Sequence, residues 1–268
     1  MALLHTGFFS QALGMCVSCD VILPQFSSSL IGMKTAAARG PRKVLYLLHG
    51  MSDDHTIWQR RTSIERYAAP LGLAVVMPAA QISRYANMAH GGRYFDYIAH
   101  ELPETMRGFF GFSDRREDNF IAGLSMGGAG CLKIGLARPE RFGAIGCLSA
   151  GASNRRPGQD ADPRRARYNL MAYGDGANLG PEEDVLGNAK KLAEAGGPCP
   201  RIYHACGTED FLLENARATR DFFTGLPGNP FDYTYEEDPG AHTWEFWDEH
   251  IQHFLAFLGL NPENDVRN

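Results

Sequence analysis

The 268-residue chain has no excess of basic residues: 26 Lys and Arg stand against 31 Asp and Glu, a formal net charge of −5. That balance excludes nucleic acid as the expected partner, because phosphate binding needs a cationic face. Long apolar runs are missing as well, and no segment approaches the about 18 residues of a membrane span. The N-terminus lacks Lys and Arg, and His5, Thr6, Gly7 and Gln11 interrupt its apolar stretch. No signal peptide is expected, and a cytoplasmic location follows. The six cysteines are too few at this length to imply a disulfide framework. Cys16 and Cys19 have the spacing of half a zinc site, but no second such pair or His pair completes it, and their alternating surroundings read as strand. Internal repeats and low-complexity tracts are absent. With 44% hydrophobic and 21% charged residues, the chain can bury a core, so wholesale disorder is excluded.

What is present is an alternation of strand and helix patterns. Residues 8–24 alternate loosely between apolar and polar and read as leading strands. Val44–Leu48, Leu73–Met77, Phe120–Ala122, Ala144–Leu148, Ile202–Cys206 and Phe231–Tyr235 read as further strands, several of them continuously apolar, as in a sheet covered on both faces. Thr62-Ser-Ile-Glu65 has the capping-box pattern and opens a helix with Ile64, Tyr67, Ala68 and Leu71 on one face. Phe95, Ile98, Leu102, Met106 and Phe109 form a second stripe, which Pro103 should kink or restart. Residues 126–137 read as helix up to Pro139, residues 215–223 as another, and Trp247, Ile251, Phe254, Leu255 and Leu258 line a closing one. The expected fold is α/β, a mostly parallel central sheet flanked by helices, in a single domain over 1–268. Ligands in such folds gather at the carboxyl ends of the strands. Residues 151–196, rich in Gly, Pro and Arg, read as an inserted segment over that edge, and 261–268 as a flexible tail.

The chemical signal is Gly123-Leu-Ser125-Met-Gly127, a GxSxG pattern between an apolar strand and a helix. A serine on so tight a turn needs small neighbours two residues either side, and the following helix points its N-terminus at developing negative charge. Serine needs a base, and elbow enzymes run Ser, acid, His along the chain. His242 lies on a loop after the last strand and is the chosen base. His250 and His253, spaced for one helix face, could bind metal, but they lack a visible partner cluster and read as solvated surface. His204, inside a strand, reads as a satisfied core residue. Asp210 after strand 202–206 is the chosen acid, with Glu209 in reserve. The oxyanion donors are expected to be the backbone N–H groups of Met51, after Gly50, and Met126. His49 reads as a loop-orienting residue. Gly50, Trp58 and Tyr85 are the expected substrate contacts, with loop 81–94 and the inserted segment at the mouth. Arg155, Arg156, Arg164, Arg165 and Arg167 read as solvated charges, or alternatively as contacts to an anionic substrate group or a neighbouring subunit.

These motifs together resemble the esterase D family of α/β-hydrolases, and most nearly its short-chain tributyrin esterases. The resemblance rests on Leu47-Leu-His-Gly-Met51 with Trp58, Phe95-Asp-Tyr97 with Glu101-Leu-Pro103, Phe120 to Gly128, Cys206-Gly-Thr-Glu-Asp-Phe211 and His242-Thr-Trp-Glu-Phe-Trp247. It spans about residues 7 to 260. It implies an α/β-hydrolase fold and a serine esterase without metal or organic cofactor, with the nucleophile on Ser125, the acid on Asp210 and the base on His242. It also implies small ester substrates: acetyl or butyryl esters, acetylated sugars or feruloyl esters. The alternatives are an S-formylglutathione-type thioesterase or an acyltransferase using the same three residues, and, from another class, a non-catalytic binding protein on a hydrolase scaffold. Neither nucleic acid nor membrane is an expected partner; a homo-oligomer is allowed.

Overall fold

The computed structural model describes residues 1–36, 40–152, 162–177 and 179–260. Among these residues eight strands form one sheet: β1 (Ala2–Ser10), β2 (Met15–Leu23), β3 (Val44–Leu48), β4 (Ala74–Pro78), β5 (Asn119–Leu124), β6 (Ala144–Leu148), β7 (Arg201–Gly207) and β8 (Thr234–Asp238). Their spatial order is β1-β2-β4-β3-β5-β6-β7-β8. β2 pairs antiparallel with β1 and β4, and every pairing from β4 to β8 is parallel. The α/β expectation is met, with an antiparallel hairpin at one edge.

Burial explains the unbroken apolar runs. In β3, Val44, Tyr46 and Leu48 enter the core on one face of the sheet, while Leu45 and Leu47 enter the core on the other. Both faces are therefore dry, and each strand can be apolar at every position. The helices are α1 (Ile57–Arg61), α2 (Ile64–Ala68), α3 (Tyr94–Asp96), α4 (Leu102–Phe110), α5 (Met126–Ala137), α6 (Pro163–Tyr173), α7 (Val185–Ala195), α8 (Leu213–Thr224) and α9 (Trp244–Phe257). Cys131, Leu132 and Ile134 of α5 pack on the first face, and Trp247, Ile251 and Phe254 of α9 on the second. Among the described residues no helix is long and apolar enough to cross a membrane.

Several local readings change for identifiable reasons. Thr62 lies one residue before Ser63, the N-cap of α2, and its hydroxyl accepts the Ile64 N–H (3.2 Å). The same hydroxyl donates to the Trp58 carbonyl (2.5 Å), and the helix stops at Ala68, passing into a 3-10 turn, Ala69–Leu71, that contains Pro70. Pro103 restarts its helix through a π-helical turn, Tyr97–Glu101, in which the Leu102 N–H donates to the Tyr97 carbonyl. Proline has no N–H to extend the previous ladder, so the extra residue is absorbed just before it. Phe109, expected in the buried stripe, is 59% exposed. The last strand begins three residues later than its apolar pattern suggests. Asn229 and Asp232 take positive φ (45° and 42°), and Phe231 and Tyr233 plug the core beside Phe223 before β8 straightens. His250, expected on a solvated helix face, is fully buried.

The described residues of the segment read as an insertion include two helices, α6 and α7. α6 begins at Pro163, with the Asp162 carboxylate accepting the Arg164 N–H (2.9 Å). α7 lies against α5 and buries Val185 and Ala189 in the core, so it serves as the crossover between β6 and β7. Arg155, Arg156 and the 261–268 tail lie outside the described residues. The six cysteines are free thiols. Cys16 is exposed and Cys19 buried, on opposite sides of β2 as a strand requires for positions three apart.

Candidate active site

β5 ends at Leu124 and α5 opens at Met126, leaving Ser125 alone between them with φ 53° and ψ −118°. Such a backbone is sparsely populated and costs of order 1–3 kcal/mol, so the surroundings must impose it. The two flanking glycines show how. A Cβ on Gly123 would lie 2.7 Å from the Gly127 carbonyl, and one on Gly127 would lie 2.6 Å from the Leu48 oxygen and 2.8 Å from that of His49. Strand, turn and helix are thus pressed together with no room for side chains, and the serine hydroxyl stands out at the carboxyl edge of the sheet.

Two further loops converge there. The His242 Nε2 lies 2.9 Å from Ser125 Oγ, and His242 Nδ1 lies 2.8 Å from Asp210 Oδ2. The loops that carry base and acid are tied to each other: the N–H groups of Thr208 and Glu209 donate to the carbonyls of Asp238 and Gly240 (2.9 Å each), and the Gly240 N–H donates to the Glu209 carboxylate. This distinguishes the two carboxylates. Glu209 is exposed and staples the loops; Asp210 is buried and meets the imidazole. Burial alone pushes the Asp210 carboxyl up. Hydrogen bonds from His242, the Leu212 N–H and Ser149 outweigh this and hold it below the usual carboxylate range, so it is ionised at neutral pH. The imidazole itself is gripped between Phe211 (ring centroids 4.5 Å) and Trp247 (4.9 Å, edge-on). A hydroxyl so placed can pass its proton to Nε2 as it attacks, with the carboxylate stabilising the resulting imidazolium.

The loop after β3 supplies the other half. The His49 Nε2 accepts the Ala80 N–H (2.9 Å), so its Nδ1 carries the proton and donates it to the Gly50 carbonyl (2.7 Å). The Asp53 N–H also donates to that carbonyl. A planar trans peptide sets C=O and N–H in opposite directions, so fixing the Gly50 carbonyl also fixes the Met51 N–H. Gly50 and Met51 line the cavity with Ser125. Met126 opens α5, and the first N–H groups of a helix have no partner within it. His49 therefore orients the loop, as its sequence position suggested.

Trp58 and Tyr85, expected to touch substrate, do not line the cavity. Both are fully buried. The Trp58 Nε1–H donates to the Leu48 carbonyl (3.1 Å) and the Tyr85 hydroxyl to the His49 carbonyl (3.0 Å). Large aromatics with one polar end need a buried acceptor, and here they hold the loop from behind. Loop 81–94 contributes only Arg84 to the wall among the described residues. The cavity, ≈ 1180 Å³, is lined instead by Phe211, Trp244 and Trp247 around His242, by Leu179, and by Lys133 of α5 with its ion-pair partner Glu183 (2.6 Å). Phe211 and Trp244 were findable in the sequence, since they directly follow the chosen acid and closely follow the chosen base. Ser149, which the site also uses, carried no motif. It sits just past β6 at φ 50° and accepts the Trp247 Nε1–H (2.9 Å). Of the arginines, Arg165 reaches the cavity and lies over the Phe211 ring (5.0 Å), while Arg164 and Arg167 are exposed.

Replacing His49 by alanine would leave the Gly50 carbonyl to the longer Asp53 N–H bond (3.3 Å) and strand the Ala80 N–H. We expect a stability loss of about 3 kcal/mol and a fall in kcat of about tenfold with little change in KM, read by urea melts and steady-state kinetics. Burial pushes the His49 imidazole below its ordinary range, outweighing its bond to Gly50 and the nearby Asp53 and Asp54. A folded pKa below the unfolded one gives stability that is full above ~6.5 and is lost as pH falls toward the folded value. The wild-type urea midpoint should therefore drop from pH 7.5 to 5.5 more steeply than the variant's. Parallel slopes would remove His49 from this role.

Comparison with known proteins agrees with the geometry. Residues 10–258 match the family model described as “Putative esterase”. The acetyl esterase of Caldicellulosiruptor saccharolyticus is 33% identical, over 96% of this chain and 98% of that protein. Among solved structures, the fluorophosphonate-binding serine hydrolase FphF of Staphylococcus aureus superposes with a TM-score of 0.81 at 33% identity, covering 97% of this chain and 98% of that one. The S-formylglutathione hydrolase FrmB of the same organism gives a TM-score of 0.78 at 34% identity, covering 97% and 99%. The chain belongs to this esterase family, and it is a carboxylic ester hydrolase with the α/β-hydrolase fold.

Proposed function

We propose that the protein hydrolyses short-acyl esters through an acyl-Ser125 intermediate. The observation that carries this is the continuous line from Ser125 Oγ through His242 to Asp210, at 2.9 and 2.8 Å. His242 takes the Ser125 proton as the oxygen attacks the ester carbonyl, and the N–H groups of Met51 and Met126 receive the oxyanion. The C–O bond to the alcohol then breaks, and the alcohol leaves with the proton from His242. Water, deprotonated by the same imidazole, repeats the attack and releases the acid. Asp210 keeps Nδ1 protonated throughout.

The acetyl esterase relative supports a small acyl group. The mixed wall of the cavity, aromatic around His242 and charged at Lys133 and Glu183, suits an alcohol portion bearing hydroxyl groups, such as a sugar. The free thiols, four of them buried, support a reducing, cytoplasmic setting. A thioester reading is favoured by the name of the Staphylococcus FrmB structure. One panel separates them: p-nitrophenyl acetate, butyrate and laurate, an acetylated xylose, and S-formylglutathione. We expect acetate and butyrate to exceed laurate at least tenfold in kcat/KM, and the acetylated sugar to exceed the thioester. A preference for laurate, or no ester turnover at all, would refute the assignment.

A further inference from the structure

A second cluster of chemistry-bearing side chains lies away from the ester site, between the edge strand β8 and the closing helix α9. The His250-x-x-His253 pair faces Glu236, the middle residue of β8. His253 Nδ1 is 2.8 Å from Glu236 Oε2, and His250 Nδ1 is 3.5 Å from the same oxygen. The three candidate ligand atoms all lie within 4.8 Å of one another. The Tyr203 hydroxyl completes the ring, 2.5 Å from Glu236 Oε2 and 3.0 Å from His250 Nδ1.

The proton count of this ring is frustrated. Tyr203 has one hydroxyl proton, and its shorter contact gives that proton to Glu236. If neutral His250 carries its own proton on Nδ1, it can donate to the Tyr203 oxygen. Its bare Nε2 then faces the Asp238 carboxylate at 3.6 Å, and that buried atom has no hydrogen-bond partner among the described residues. If the proton sits on Nε2 instead, it faces Asp238, but the Nδ1 lone pair meets an oxygen lone pair at 3.0 Å. A positive centre among Glu236 Oε2, His250 Nδ1 and His253 Nδ1 removes the conflict. Both Nδ1 lone pairs then point at the cation, and the Nε2–H of His250 turns to Asp238. A ligating histidine whose other nitrogen is oriented by a carboxylate is the usual outer arrangement of a metal site.

We propose that Glu236, His250 and His253 bind a divalent transition-metal ion, and that Zn²⁺ is the ion that fits. Two imidazoles and one carboxylate are a nitrogen-rich set that favours Zn²⁺ over Ca²⁺ and Mg²⁺. Tetrahedral Zn²⁺ with bonds near ~2.1 Å separates its ligands by about 3.4 Å, comparable with the separations here. Water or the Tyr203 oxygen supplies the fourth ligand. Glu236 and His253 are 34% and 43% exposed, so an ion can enter from solvent, while His250 anchors the site from the core. The ion would tie the edge strand to the helix that covers it. None of these residues touches the ester cavity.

The test titrates ZnCl₂ into chelator-stripped protein by calorimetry, comparing wild type with a Glu236→Gln, His253→Ala double variant. Both changed side chains are partly exposed and outside the ester site, so folding and metal-free ester turnover should match wild type. We expect wild type to bind one more Zn²⁺ per chain than the variant, at least 100-fold more tightly than the variant's residual binding. Its thermal midpoint should rise by roughly 5 °C at Zn²⁺ a hundredfold above Kd, with no rise in the variant. Equal Zn²⁺ binding by the two proteins, or Ca²⁺ binding as tight as Zn²⁺, overturns the proposal. Should the double variant fail to fold, Co²⁺ added to wild type decides: intense visible absorption of four-coordinate cobalt supports the site, and the weak spectrum of the hydrated ion overturns it.

Discussion

Ser125→Ala should lower kcat for p-nitrophenyl acetate by at least about 10³-fold. The hydroxyl is the only group on the Ser125–His242–Asp210 line able to form the acyl bond, and what survives is the contribution of oxyanion donors and binding. The folded state should be nearly untouched. Alanine meets the same positive φ as serine, the side chain only shortens by one oxygen, and the imidazole keeps its Asp210 bond and its grip between Phe211 and Trp247. Urea midpoints within about 1 kcal/mol of wild type are therefore expected. A fluorophosphonate probe should label the wild type and not the variant. Retention of more than a tenth of the rate in a folded variant would sink the acyl-serine mechanism and return the binding-protein alternative to consideration.

Gly127→Ala should be the most damaging change that removes nothing. The added methyl would lie 2.6 Å from the Leu48 oxygen and 2.8 Å from the His49 oxygen, well inside contact distance. Neither oxygen can withdraw at little cost, because Trp58 holds one and Tyr85 the other. Either the helix leaves the strand or the β3 loop opens, and both displace the two amides meant for the oxyanion. Overpacking of this kind typically costs 1–3 kcal/mol, and backbone opposition places this case at the upper end, about 3 kcal/mol. A displacement near 1 Å at the reacting atoms is worth about 100-fold in rate. Urea melts and kinetics on the same sample measure both. A variant with wild-type kcat would mean that the elbow yields to the added methyl and is not rigid.

Much of this was legible from residue order. Apolar runs such as Val44–Leu48 announce strands because both faces of the sheet are covered, and alternation with helices leaves few topologies. Gly123, Ser125 and Gly127 mark their turn because the constraint is local: small residues are needed where three backbones meet. Asp210 and His242 could be chosen because strand ends share an edge. What failed was side-chain direction. Trp58 and Tyr85 looked like mouth residues because aromatics on loops often are, yet their polar ends point inward to carbonyls that only the folded loop presents. His250 looked solvated because its burial comes from folding α9 back on the sheet, which brings it against Tyr203 of β7 and Glu236 and Asp238 of the preceding strand. Phe231 and Tyr233 carried a strand pattern but serve as a plug, because two positive-φ residues bend the chain around them. The turn motif and the chain order located the chemistry and the resemblance to known esterases fell on the same residues; neither carried information on which aromatic faced which way.

The segment from Leu48 to Gly50 presents three successive carbonyls, each committed to its own donor before any ester arrives. The dipoles that would stabilise the reaction are thus oriented by folding itself, and a substrate need not spend contact energy in arranging them. Breadth follows from such a frame: molecules with little to grip, differing widely in their alcohol portion, can meet the same ready-made polarisation, and discrimination among them falls to the walls around it.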